Sequence, residues 1–159
     1  METINRFYHQ LDEFKSKLEA TLIELGRHKE LEELRIKYEM LTDAKKINIM
    51  IPINMYYEQC ICGKDRTTGL SVTEQIVNND ETFFLGRLDK RLSDKSLSQD
   101  LEENDLALVI SIRSIWDSLS PEKKSTIWKY VKILGILAEK ELGYTTFQNL
   151  LQEKRKNTH

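Results

Sequence analysis

Helix breakers are scarce in this chain: its 159 residues include two Pro and six Gly. That composition excludes a collagen-like or Gly/Pro-rich disordered chain and favours long helices. Cysteine is limited to Cys60 and Cys62, spaced C-x-C, so a disulfide scaffold is excluded as well. A bridge between the two would close a very short, strained loop, and two thiolates alone make an incomplete zinc site. They read as reduced thiols, and no metal is expected. There are three histidines, the last of them the final residue, which leaves little for acid–base chemistry at neutral pH. Apolar runs of 18 residues are missing too, so no membrane-spanning helix is expected. The first residues, Met1 to Arg6, show no basic flank leading into an apolar stretch, and a secretory signal is not expected.

Charge of one sign is also lacking. Lys and Arg number 24 against 26 Asp and Glu, a net charge of −2. Neither half is basic enough for dominant, salt-sensitive contact with a nucleic acid backbone. The chain therefore reads as a soluble intracellular protein. The sequence lacks G-x-S-x-G, H-E-x-x-H, C-x-x-C and a glycine-rich phosphate loop. Lys64 follows Gly63, but the Gly63–Gly69 segment lacks the P-loop frame and reads as a surface loop. No enzyme and no cofactor are expected.

What is present is helical periodicity. Ile4, Phe7, Leu11, Phe14, Leu18, Leu22 and Leu25 recur in steps of three and four, and Leu31, Leu34, Tyr38 and Leu41 repeat the pattern. Two amphipathic helices over about 4–25 and 28–46 follow, with Thr3 as N-cap and Gly26 as stop. The short turn favours an antiparallel hairpin, while the heptad-like spacing leaves an intermolecular coiled coil open. Pro52 opens a helix expected to reach about Cys62. Ser71 or Thr73 starts another, interrupted at Asn78-Asn79-Asp80. Residues 86–104 are polar with sparse leucines, and Asp100, Glu102, Glu103 and Asp105 suit a solvated linker at a helix start. Leu108, Val109, Ile112, Ile115, Trp116 and Leu119 share an arc of about 120°. Ser120-Pro121 then caps a long helix to about Leu142, whose core face is Ile127, Tyr130, Val131, Leu134, Leu137, Ala138 and Leu142. Gly143 ends it, and a short amphipathic tail follows.

The expected fold is all-α, with six to seven helices. An N-terminal hairpin over 1–47 packs on, or extends from, a helical bundle over 48–159, and the two parts can form one domain. Two surfaces stand out. Ile110, Trp128 and Ile136 lie off or at the edge of their core arcs, which fits either an interface or helices covered on both sides by their own fold. Lys124, Trp128 and Lys132 fall on one helical edge, and Lys154, Arg155 and Lys156 form a basic tail. An aromatic between lysines can stack on a base, or it can sit at the core boundary under their aliphatic stems.

The order Asn79-Asp80-Glu81-Thr82-Phe83-Phe84-Leu85, Ile115-Trp116-Asp117-Ser118-Leu119, then Lys124-Ser125-Thr126-Ile127-Trp128-Lys129-Tyr130-Val131 resembles small helical proteins of nucleocytoplasmic large DNA viruses. The Gly63–Gly69 loop departs from that pattern. The resemblance implies a viral origin and a host-cytoplasm or virion location. It carries over no functional residue, since the family has no assigned chemistry. The expected function is a non-enzymatic helical interaction protein, such as a viral structural or assembly component of the minor capsid or scaffold type. Its partner would be another protein or a second copy. The alternative is a nucleic-acid-associated regulator acting through the Lys/Trp edge and the basic tail.

Overall fold

The computed structural model describes residues 2–58, 72–80, 112 and 115–157, and among these the protein is all-α. Six helices are described: α1 (Glu2–Glu24), α2 (His28–Ile47), α3 (Ile51–Tyr56), α4 (Val72–Val77), α5 (Pro121–Leu142) and α6 (Thr146–Asn157). A 3₁₀ turn over Trp116–Ser118 precedes α5. The N-terminal helices pack against the C-terminal ones, chiefly α1 on α5, while α6 lies on α4 and α5. One cluster of buried residues runs from Ile4 through Ile53, Ile76 and Trp116 to Phe147.

The α1 stripe is buried as its spacing requires: Ile4, Phe7, Leu11, Phe14, Leu18 and Leu22 all face the core, joined by Tyr8. The helix begins at Glu2, so Thr3 lies inside the first turn rather than capping it. Glu2 supplies the negative charge a helix start favours and pairs with Arg6 at 2.8 Å. Gly26 ends the α1 segment at φ +70°. Its N–H donates to Ile23 O at 3.1 Å, and Arg27 N–H donates to Leu22 O at 2.9 Å. This Schellman pairing satisfies the last carbonyls, and it needs a left-handed residue. The same pairing ends α5 at Gly143, φ +82°, and α4 at Asn79, φ +53°. Asparagine substitutes for glycine there because it tolerates that region better than most side chains.

The hairpin of α1 and α2 is held by polar contacts along one seam. Glu19 accepts from Arg35 at 2.8 Å and pairs with Lys15, while the Tyr38 hydroxyl donates to Asp12. Burial alone would raise the Glu19 pKa, but hydrogen bonds from Lys15 and Arg35 outweigh it and hold the carboxyl below its ordinary value. The Tyr8 hydroxyl donates to Ile49 O just beyond α2, and Lys45 Nζ lies 4.0 Å from the centroid of the Tyr8 ring. Burial pushes the Tyr8 phenol up to about 12.

Helix α5 starts as its Ser-Pro pair dictates, with Ser120 Oγ accepting from Lys123 N–H at 3.2 Å. Of its expected core, Ile127, Tyr130, Val131, Leu134 and Ala138 are buried, and Leu137 and Leu142 are half-buried. Trp128, Gly135 and Glu139 are buried in addition. The buried arc is wider than one helical stripe because α1, α3, α4 and α6 all pack on α5. Phe14 stacks on Tyr130 at 5.1 Å, and the Tyr56 hydroxyl donates to Val131 O at 2.6 Å. Upstream, Ile112, Ile115, Trp116 and Leu119 are buried as their arc requires, though the chain winds as 3₁₀ from Trp116 to Ser118. Leu108 and Val109 lie outside the described residues, as do the acidic run at 100–105, Cys60, Cys62 and the Gly63–Gly69 loop.

Candidate interaction surface

The residues singled out from the sequence are distributed by the fold in a different way from their arcs. Ile110 lies outside the described residues. Trp128 is 5% exposed and meets Trp116 edge-on, with ring centroids 5.9 Å apart. Its ring faces this chain's own core, so it presents no open face to a base or a partner. Ile136 is half-buried against the same core. Both residues are thus taken up by α5 being covered on several sides. Lys124 remains near an indole, but that of Trp116, with Nζ 5.2 Å from the ring centroid.

The cations of α5 and α6 do come together. Burial lowers the pKa of half-buried Lys132, and the charges of Lys154 and Arg155 lower it further. Lys154 Nζ also donates to Val77 O at 2.6 Å, so one of these charges serves the C-terminal end of α4. Lys156 is exposed.

The most deeply buried carboxylate among the described residues has a structural task. Glu139 is fully buried in α5, and its two oxygens accept from Phe147 N–H at 2.8 Å and Gln148 N–H at 3.1 Å. These are first-turn amides of α6, which have no partner within their own helix. Glu139 thus caps α6 across the Gly143 turn. A short sequence signal, E-x-x-x-G ahead of a helix start, is all that announces it.

Two hollows lie beside α1. A groove of about 250 Å³ between α1 and α5 is floored by Phe14, Leu18 and Ile127 and rimmed by Lys17 and Lys123. Lys123 is engaged there with Glu24. A polar hollow is lined by His9, Asp12, Glu13 and Tyr130, whose phenol pKa is raised by burial and by Glu13. Among the described residues no group of three or more His, Cys, Asp or Glu is placed to hold a metal ion.

The outstanding surface is the outer side of α2. Ile36 is 54% exposed, Met40 64% and Ile47 82%. At 100° per residue the three fall within about 40° of one another. Their midpoint lies about 160° from that of Leu31, Leu34, Tyr38 and Leu41, the side turned to α1. Helix α2 therefore carries apolar side chains on two opposite sides, and the described residues cover one. Single exposed apolar residues are ordinary, but three in line on one helix are a patch. The signal was in the sequence, as positions i, i+4 and i+11 of a helix whose other face already accounted for burial. No helix of the described residues is long and apolar enough to cross a membrane. Comparison with family models, with curated proteins and with solved structures finds no match.

Proposed function

We propose that this protein is a non-enzymatic interaction module that binds another protein through the outer face of α2. The observation that carries this reading is the Ile36–Met40–Ile47 stripe, left in water on a helix whose opposite face packs on the core. A stripe about one side chain wide suits an apolar helix or strand of a partner better than a small molecule. A viral assembly or scaffold component, as the sequence resemblance implies, is one form such a module takes. Position 40 replaced by a photo-crosslinking residue tests the reading in extract from the protein's own source. A discrete protein adduct, lost when Ile36 and Ile47 are changed to Asp, is expected. Absence of any adduct to position 40 contradicts it.

A second reading has its own observation, the meeting of Lys132, Lys154 and Arg155. A nucleic-acid-associated regulator would use this basic cluster without Trp128 as a stacking platform. Its binding would weaken steeply between low and moderate salt, whereas the α2 interface would hold.

A further inference from the structure

Helix α2 buries little for its length: Leu31 and Leu34 among 20 residues, whereas α1 buries seven of 23. Among the described residues, the polar side-chain contacts between α2 and other elements all run to α1. Arg35 donates to Glu19 and Tyr38 to Asp12, while Lys45 lies over the Tyr8 ring. Arg35 is 55% exposed, so water competes for its bond, and pairs of this kind add little to docking. The core of α1 does not depend on α2. Phe14 stacks on Tyr130 of α5, and Leu18 lies beside Ile127.

The chain on either side of α2 is anchored where the helix is not. Leu22, before the Gly26 turn, and Ile53, after Asn48, are both fully buried. Tyr56 ties α3 to α5 through Val131 O. Between these anchors the helix stops at Gly26, with φ +70°, and at Asn48, which is extended at φ −153°. Residues at element ends absorb the φ/ψ change when an element moves as a unit. We infer that α2 is a hinged strap that lifts from α1 between Gly26 and Asn48 while α1, α3, α5 and α6 stay packed. Lifting uncovers Leu31 and Leu34 in addition to Ile36, Met40 and Ile47, so the open strap offers apolar side chains on both of its sides. Such a strap opens whether or not its outer face has a partner, so its test is separate from cross-linking at position 40.

Amide hydrogen exchange of the full chain reads the opening. Once lifted, the helix loses the tertiary packing that supplies most of its stability, so its amides exchange. Amides of residues 32–47 should exchange at least about a hundredfold faster, relative to their intrinsic rates, than those of Val131, Leu134 and Ala138. Leu34→Ala removes a contact that lifting breaks and should speed exchange in α2 at least about tenfold. Ile127→Val weakens packing that the open state keeps, so it should speed the α5 amides several-fold and leave α2 unchanged. Amides in α2 that exchange no faster than those of α5 overturn the strap, as does an equal response of both helices to Ile127→Val. Protection that rises steadily from the ends of α2 inward would mean fraying, and it overturns lifting as a unit.

Discussion

Helices α5 and α2 are nearly equal in length, 22 and 20 residues, yet α5 buries eight residues and α2 two. Both are amphipathic by sequence. The difference is position: α5 is packed on by α1, α3, α4 and α6, whereas α2 packs on α1 and α3. Apolar residues outside the main stripe therefore meet opposite fates. On α5, Trp128 is absorbed into the core and Ile136 half-absorbed. On α2, Ile36, Met40 and Ile47 remain in water. An off-stripe apolar residue signals an interface only on a helix that its own fold covers from one side.

The sharpest way to break this contrast is to truncate the inner indole. Trp128→Ala should cost about 3–5 kcal/mol in denaturant unfolding, the range for deleting a buried aromatic side chain. A loss under about 1 kcal/mol would return Trp128 to the surface and remove the distinction between the helices. Next in size is Glu139→Ala, which leaves two first-turn amides of α6 without their acceptor. A cost of about 2–3 kcal/mol is expected, with faster hydrogen exchange at Phe147 and Gln148. Unchanged exchange at both amides would show that α6 does not depend on the cap.

The stripes of α1 and α5 were legible in the sequence because burial there follows helical spacing, and the Ser120-Pro121 start and both glycine stops follow from backbone chemistry alone. Two things were not legible. Periodicity places a residue on a helix face but does not count the helices that will pack on that face, so Trp128 and Ile136 were ambiguous. The Glu139 cap joins two helices through a turn, and its carboxylate looks like any surface glutamate until α6 is placed. The α2 stripe was in reach and was masked by the stronger inner pattern of Leu31 and Leu34.

A smaller effect compares the two glycine stops. Gly26 follows α1 and Gly143 follows α5, both at positive φ, and a Cβ at either would meet nothing within 4 Å. Alanine at each should therefore cost the backbone penalty alone, about 1–2 kcal/mol, equally for the outer hairpin and the inner helix. A markedly larger cost at Gly143 would mean that the α5–α6 turn is packed more tightly than its surroundings indicate. A further effect appears only at alkaline pH. The Tyr8 phenol rises from 10.0 to about 12 on folding, because burial disfavours its charged form. Its contribution to stability is complete below pH 10 and is lost as pH rises through about 12. Tyr8→Phe should flatten the stability profile over that window, and an unaltered profile would mean that the α1–α2 seam is open to water at Tyr8.

The central claim is that the described residues make no use of the outer face of α2, and the unfolding free energy of the double variant Ile36→Asp/Met40→Asp tests it most directly. Measured at a dilution where only single chains are present, it should match the wild type to within about 0.5 kcal/mol, as substitutions at exposed sites do. A loss of several kcal/mol would show that these side chains are packed within their own chain, and the interaction surface would be gone with them.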